Sequence, residues 1–559
     1  MAQGKLILDY IYEHESAQPD RVYLSQPIGG GKCVDYNWGQ VLDQSRRMAA
    51  HLKAQGFEHG ARIAILSKNC AHFFMAELAI WMAGGSTVAI FPTETERTLR
   101  YVLEHSGASL LFVGKLDTWE QQAAGVPQEL PCIAFPLAPS TRFETWDAVT
   151  ARTPPLTGLV QRAGDDMALL CYTSGSTGQP KGVMHSFGAV TRACEGMVKY
   201  VRLQFGPKSE VRMLSYLPLA HIYERGWLQF ASLIDGQIHV FFAESLESFL
   251  QDLQRARPTA FISVPRLWLK FQQGVFAKIP PQRLDRLLGI PVLGSIVKRK
   301  VLKGLGLDHT LLASSASAPI PAELITWYRR LGLNLMEGYA MTEDFGYSHA
   351  SAAGFNAPGC VGVPLPGVEV RISEEGEILI RSPGQLMGYY RRPDLDAESF
   401  TADGFFRTGD KGERNADGLL KLTGRVKELF KTAKGKYVAP APIENRLNAH
   451  PMVEMSIVSG VGQASAYAMV VLAEDLRLKV GDAAMRMRVQ AEFSQLLEGV
   501  NAELPDYEKL KLIVVSAEPW TIENGCLTPT MKIRRSHIES AAEAKLVAWF
   551  ATAEKIHWA

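Results

Sequence analysis

The stretch Ala168-Leu169-Leu170-Cys171 followed by Tyr172-Thr173-Ser174-Gly175-Ser176-Thr177-Gly178-Gln179-Pro180-Lys181-Gly182 decides the reading of this chain. An apolar run of strand character opens into a loop that holds Thr173, Ser174, Ser176 and Thr177, three glycines and Lys181. Glycines let backbone N–H groups approach an anion closely, hydroxyls add donors, and a lysine neutralises charge. The spacing is not the Walker pattern, because Lys181 precedes a glycine and no Ser/Thr follows it. A flexible surface turn would need neither the strand before the loop nor the lysine inside it, so phosphate binding is the better reading.

Upstream of that strand, helix and strand signals alternate. Asn37 can cap a helix to about Gln55 with Val41, Ser45, Met48, Ala49 and Leu52 on one face. Arg62 to Leu66 reads as a strand, Ala71 to Met82 as a helix ended by Gly84-Gly85, and Thr87 to Phe91 as a strand. Helix Glu96 to Glu104 and strand Leu110 to Val113 repeat the unit. Strands separated by helices predict parallel pairing in doubly wound α/β layers.

Downstream the style changes. Val368 to Ile372 and Gly376 to Ile380 alternate across an acidic turn, an antiparallel signal. Near Gly424 a basic, glycine-containing stretch begins. Strands near Ser456 to Val458, Ala468 to Leu472 and Leu512 to Val515, with a helix from about Met485 to Glu503, predict a small α+β domain. The expected division is a large domain over 1–426 and a small one over 427–559.

Composition sets outer limits. A chain of 559 residues with 47% hydrophobic content holds several cores at about 100–200 residues per domain. Fifty-nine Lys+Arg against 58 Asp+Glu leave a net charge of +1, which argues against nucleic-acid binding by bulk positive charge and against an acidic disordered chain. Seven scattered cysteines without a CxxC pair predict neither disulfides nor a zinc knuckle. No secretory signal is visible in Met1 to Asp9, and the apolar window Phe73 to Phe91 is broken by Glu77 and Gly84-Gly85-Ser86. The expectation is a soluble cytoplasmic enzyme, with peripheral membrane contact left open.

The loop at 172–182 resembles the nucleotide-phosphate loop of the adenylate-forming (AMP-binding) superfamily, and further signatures of that family follow in order. Leu217-Pro218-Leu219-Ala220-His221-Ile222-Tyr223-Glu224-Arg225 is similar to the second, in the form found in long-chain fatty acyl-CoA synthetases. Ser314-Ser315-Ala316-Ser317-Ala318-Pro319 resembles the acyl-pocket loop, and Met336-Glu337-Gly338-Tyr339-Ala340-Met341-Thr342-Glu343 the adenine and magnesium motif. Phe406-Arg407-Thr408-Gly409-Asp410 and Gly424-Arg425-Val426-Lys427-Glu428 resemble the ribose and hinge motifs, and Asn524 to Lys532 the C-terminal lysine motif. Lys411, and Phe430-Lys431-Thr432, depart from the family's usual apolar and aliphatic–Lys patterns.

The resemblance implies ATP and CoA as co-substrates, Mg²⁺, and a fatty acid activated as acyl-AMP before transfer to CoA. It implies Lys532, His221 and Thr342 as catalytic groups. It implies nucleotide contacts from Thr173, Ser174, Gly175, Ser176, Thr177, Gly178, Lys181, Gly338, Tyr339, Thr342, Asp410 and Arg425. Glu343 would hold Mg²⁺, with Thr173 as a second oxygen. Lys427 falls at the hinge of a mobile small domain, and Lys434, Gly435 and Lys436 lie toward the CoA channel. Asp417 reads as a turn residue beside Gly418, and Glu444 as a helix-start residue. The neighbourhoods of Trp227, Phe230 and Phe261 are candidates for the acyl pocket.

Alternatives are an acyl-AMP ligase serving a carrier protein, or a silent adenylate-binding scaffold; the presence of Lys532, Glu343 and Lys181 argues against the scaffold. Between Leu287 and Lys303 an apolar series precedes Lys298-Arg299-Lys300, with no acidic residue between Asp285 and Asp308. Two readings of that stretch stay open: an amphipathic cover on the large domain, or a membrane-surface patch.

Overall fold

A computed structural model describes residues 4–173, 179–207, 209–352, 356–433, 436–528 and 531–559. Helix α1 (Trp38–Ala54) starts where Asn37 Oδ1 accepts from the Gln40 N–H at 2.8 Å and Gln40 Oε1 accepts from the Asn37 N–H at 2.9 Å, a reciprocal cap. The alternating units then form as read: β1 (Arg62–Leu66), α2 (Ala71–Met82), β2 (Ser86–Ile90), α3 (Glu96–Ser106) and β3 (Leu110–Val113). Every residue of α2 is buried, so it is an interior helix of the large domain. Gly84, at φ +91°, turns the chain out of α2 while the Gly85 N–H returns to the Ile80 carbonyl at 2.8 Å.

Strand β4 (Met167–Thr173) and β5 (Lys181–Ser186) lie on either side of residues 174–180 in the chain. The eight-stranded sheet runs 388–389, β5, β4, β2, β1, β3, 132–134, 144–145. The pairs from β4 through β3 are parallel, and β5 adds antiparallel to β4. Because β1 sits between β2 and β3, the order reverses there, and in such sheets ligands bind beyond the carboxyl ends of the strands. Thr173 ends β4 and Phe91 follows β2, so both stand at that rim.

A feature not read from the sequence is the helix Ile7–Ala17 and the strands Val22–Pro27 and Cys33–Asn37, which join 211–215 and 238–242 in a separate four-stranded sheet. That pairing spans about 200 residues of chain, which no local pattern encodes. Helices α4 (Pro281–Leu288) and α5 (Leu293–Gly304) form a hairpin on the large domain. Strand β6 (Leu335–Tyr339) lies in a five-stranded mixed sheet. The antiparallel part appears as predicted: Glu369–Ile372, Glu377–Arg381, β7 (Phe406–Arg414) and β8 (Leu420–Arg425).

The small C-terminal domain is built on strands 453–459, 466–472, 510–515 and 556–558. Successive residues fall on opposite sides: Val458, Ala468, Val470, Ile513 and Val515 pack in one core, Ile457, Tyr467, Met469, Val471, Leu512 and Val514 in another. This period of two buries the sheet on both faces. Helix α6 (Pro440–Asn448) corrects one expectation. Its prolines open the helix four residues before Glu444, which places that carboxylate past the first turn. Glu444 instead accepts from the Val458 N–H at 2.6 Å and pairs with Arg535 at 2.7 Å, fastening α6 to the sheet and to the C-terminal helix.

Candidate active site

Phe91, Tyr172, Thr173, Ala220, His221, Ile222, Thr342 and Lys532 line one cleft. Four separate segments of the large domain and one of the small domain therefore converge there. Lys532 is held by Thr528: its N–H donates to Thr528 Oγ1 at 3.0 Å and its carbonyl accepts the Thr528 N–H at 2.8 Å. It retains solvent contact, yet enough protein surrounds it that desolvation lowers its amine below the usual lysine range. Arg425 pushes the same way, while Glu343, Asp410 and Glu428 oppose it.

His221 sits at the start of a short helix, where Nδ1 accepts the Tyr223 N–H at 3.2 Å. A neutral ring that accepts at Nδ1 carries its proton on Nε2. Burial, then the charge of Lys532, push its pKa down to about 3, so it is neutral at physiological pH. The segment that carries it is anchored from behind. Arg225 Nη1 donates to the Leu219 carbonyl at 3.0 Å and its other arm pairs with Glu77, both side chains fully buried. Glu224 accepts from Ser215 Oγ at 2.7 Å and the Tyr216 N–H at 3.0 Å, and burial raises its pKa to about 8.

Thr342, Glu343 and Asp344 form a single 3₁₀ turn beyond β6. The His185 ring meets the Thr342 carbonyl at 2.8 Å, and the Glu343 carbonyl accepts the Leu386 N–H at 2.8 Å. Tyr389 donates its hydroxyl to Glu343 Oε1 at 2.9 Å, and Lys181 lies 5.6 Å from the Tyr389 ring centroid. Tyr389 thus connects the lysine of β5 to the carboxylate of the turn. Asp344 is buried and its pKa is raised to about 8 by that burial.

Asp410 and Arg425 are register partners on β7 and β8. Arg425 Nε donates to Asp410 Oδ1 at 2.7 Å, and Tyr339, at the end of β6, donates its hydroxyl to Asp410 Oδ2 at 2.7 Å. The three residues arrive from two different sheets. Gly338 pairs with Ala350 beside them. Lys427 is exposed on the 3₁₀ turn 426–428 that follows β8, and Lys436 is exposed. Ser174, Gly175, Ser176, Thr177, Gly178, Lys434 and Gly435 lie outside the described residues.

Ser314 accepts from the Tyr223 hydroxyl at 3.2 Å, which ties the 314–319 segment to the one that carries His221. The structure does not gather Trp227, Phe230 and Phe261 into one wall. Phe230 packs on Trp81 and Phe345, Phe261 on Tyr216 and Trp268, and Trp227 on Tyr200. Asp417 sits in the turn between β7 and β8, where its N–H donates to Asn415 Oδ1 at 3.0 Å. Cys171 is buried, and burial raises its thiol to about 12; Cys526 is also free and raised. The cysteines are free thiols.

The groups that the sequence reading passed over are Tyr389 and the Glu77–Arg225 pair. Tyr389 carries no local signal, being far along the chain from Glu343. Glu77 did carry one: a lone carboxylate in an apolar helix must find a buried cation.

The chain belongs to the AMP-binding enzyme family. Residues 11–390 match that family and residues 428–553 match its C-terminal domain. Among curated relatives, the long-chain-fatty-acid–CoA ligase FadD15 of Mycobacterium bovis is 29% identical over 571 residues, covering 94% of each chain. Among solved structures, the A domain of a carboxylic acid reductase from Segniliparus rugosus, in complex with AMP and a co-purified carboxylic acid, superposes with a TM-score of 0.80 at 23% identity, covering 99% of this chain and 95% of that one. The anthranilate CoA ligase AuaEII, in complex with anthranoyl-AMP, superposes with a TM-score of 0.78 at 20% identity, covering 98% and 99%.

Proposed function

We propose that this protein is an ATP-dependent fatty acid–CoA ligase that activates a medium- or long-chain carboxylate as acyl-AMP and passes the acyl group to CoA. The observation that carries the reading is that Lys532 of the small domain reaches the cleft bounded by Thr173, His221 and Thr342 of the large one. A carboxylate oxygen attacking the α-phosphorus of ATP brings two anions together, and pyrophosphate leaves. Catalysis of that step is positioning and charge neutralisation. Lys532 bridges the carboxylate and the α-phosphate, Thr342 donates to the phosphate, and neutral His221 borders the acyl carboxyl group. Thr173, Lys181 and the loop 174–178 hold the phosphates.

Tyr339 and Gly338 flank the adenine, and the Asp410–Arg425 pair takes the ribose hydroxyls. Glu343 offers the single carboxylate that Mg²⁺ needs when phosphate oxygens and waters supply its other ligands, with Thr173 as a further oxygen; bound there, the ion would neutralise phosphate charge. In the second step the thiol sulfur of CoA attacks the acyl carbonyl and AMP leaves. A rotation about Lys427, at a boundary between 1–426 and 427–559, withdraws Lys532 and brings Lys434, Gly435 and Lys436 toward the thiol channel.

The names of the relatives support a long-chain acid and CoA as acceptor. The test is a panel of C2 to C18 and aryl acids, each assayed for pyrophosphate release with and without CoA and for acyl-CoA. Acyl-CoA from C8 to C18 acids is expected. Pyrophosphate release without any acyl-CoA would move the assignment to an acyl-AMP ligase for a carrier protein.

A further inference from the structure

The hairpin of α4 and α5 divides its apolar residues between two faces. Leu288, Val297, Val301 and Leu302 pack against the core under the hairpin, and Leu284 is fully buried there. Gly294 seats α5 directly on α4, since a Cβ at this position would lie 2.6 Å from the Leu288 carbonyl oxygen. An amphipathic cover needs no more than that. Yet Ile290, Val292, Leu293 and Ile296 remain 47%, 76%, 39% and 59% exposed at the hairpin tip and the start of α5. Four large apolar side chains clustered within seven residues form a patch rather than scattered surface residues.

The charge beside the patch is of one sign. Lys298, Arg299, Lys300 and Lys303 lie on α5, and Arg283 and Arg286 on α4. The one carboxylate of the hairpin, Asp285, is paired with Arg330 at 2.8 Å. Among the described residues none of those six cations pairs with a carboxylate.

We propose that the α4–α5 tip is a docking surface for an anionic lipid bilayer. Ile290, Val292, Leu293 and Ile296 enter the headgroup–acyl boundary while the basic side chains meet lipid phosphates. An exposed apolar tip rimmed by unpaired cations is complementary to such a surface. A second copy of the chain fits less well, because a two-fold contact places each patch on its own twin and sets like charges face to face. The inference does not depend on the ligase reading, since it concerns a surface remote in sequence from every residue placed in the cleft.

The test is co-sedimentation of the full chain with vesicles of phosphatidylcholine alone or with about 30% phosphatidylglycerol. At least tenfold tighter binding to the anionic vesicles, weakened by 0.5 M salt, is expected, because each basic residue near such a surface is worth roughly fivefold. Changing Lys298, Arg299, Lys300 and Lys303 to Gln should lower binding at least tenfold, and so should changing Ile290, Val292, Leu293 and Ile296 to Ser. Both variants should keep the parental circular-dichroism spectrum and cooperative thermal unfolding, which checks that they fold. If either multiple variant fails that check, Lys300→Gln still predicts a loss of about fivefold and Ile296→Ser one of at least about threefold. Equal binding to both vesicle types, or variants that sediment like the parent, would overturn the proposal. So would a dimer in velocity sedimentation that the apolar variant converts to monomer, which would give the patch to a second copy.

Discussion

Replacing Arg225 by Met, Glu77 by Leu, and both together should expose how the His221 segment is held. Both side chains of this ion pair are wholly shielded from water. Removing one partner leaves the other as an unpaired buried charge, at a cost of about 3–5 kcal/mol. Arg225→Met also frees the Leu219 carbonyl, and Glu77→Leu frees the Gln229 amide that now donates to Glu77 Oε2 at 2.7 Å. Those losses add roughly 1–2 kcal/mol to each single change. Arg225 further lies over the rings of Phe73 and Phe230, at 5.6 and 5.3 Å from their centroids.

The double variant keeps only the hydrogen-bond losses and gains apolar volume, so its net cost should be about 2–4 kcal/mol. The coupling in a double-mutant cycle should then be at least about 3 kcal/mol. Equilibrium unfolding in urea, following the large domain, measures all four corners. Pyrophosphate release under conditions where the double variant stays folded reports the second consequence. With the Leu219 carbonyl unanchored, the rate should fall about tenfold although the fold survives. Single variants whose costs simply add, with a coupling below about 1 kcal/mol, would refute the argument that the pair is one electrostatic unit. A double variant with the parental rate would refute the link to His221.

Lys532→Ala should abolish acyl-AMP formation yet leave thioester formation from supplied acyl-AMP within about threefold of the parent, as measured by separate half-reaction assays; loss of both or neither would place the lysine elsewhere. Asp344 carries a proton in the folded chain up to about pH 8 but loses it near the ordinary carboxylate pKa when unfolded. The folded state therefore binds more protons between about pH 4 and pH 8, and this group's contribution to stability declines as pH rises through that window. Asp344→Asn, which cannot ionise, should match the parent to within about 1 kcal/mol near pH 4 and exceed it at pH 9 in urea unfolding; a gap that does not widen with pH would contradict the assignment.

Local pattern was enough for the parallel units. The spacing of Val41, Ser45, Met48, Ala49 and Leu52, the cap at Asn37 and the glycines after Met82 act over a few residues, so α1, β1, α2 and β2 stand close to where they were read. The sheet formed by 22–27, 33–37, 211–215 and 238–242 was not legible, because its edges meet only after the intervening chain has folded. The role of Glu444 is illegible locally for a related reason. A carboxylate near prolines and a helix suggests a helix start, whereas its partners, the Val458 N–H and Arg535, come from strands and helices distant in sequence.

For the site, the chain's residues alone supply a hydroxyl- and glycine-rich loop with Lys181 and, in the order of the family, motifs bearing His221, Thr342, Glu343, Asp410, Arg425 and Lys532. Residue type alone suits the loop to anions; the roles of the other groups are what the resemblance to the family implies. Packing between distant segments sets what surrounds those groups. It tied Glu343 to Tyr389 and Asp410 to both Tyr339 and Arg425, and it anchored the His221 segment on a buried ion pair. It also left Ile290, Val292, Leu293 and Ile296 in water while their neighbours joined the core. Desolvation and hydrogen bonding depend on which atoms lie within a few ångströms, and that is set by packing between segments far apart in the chain.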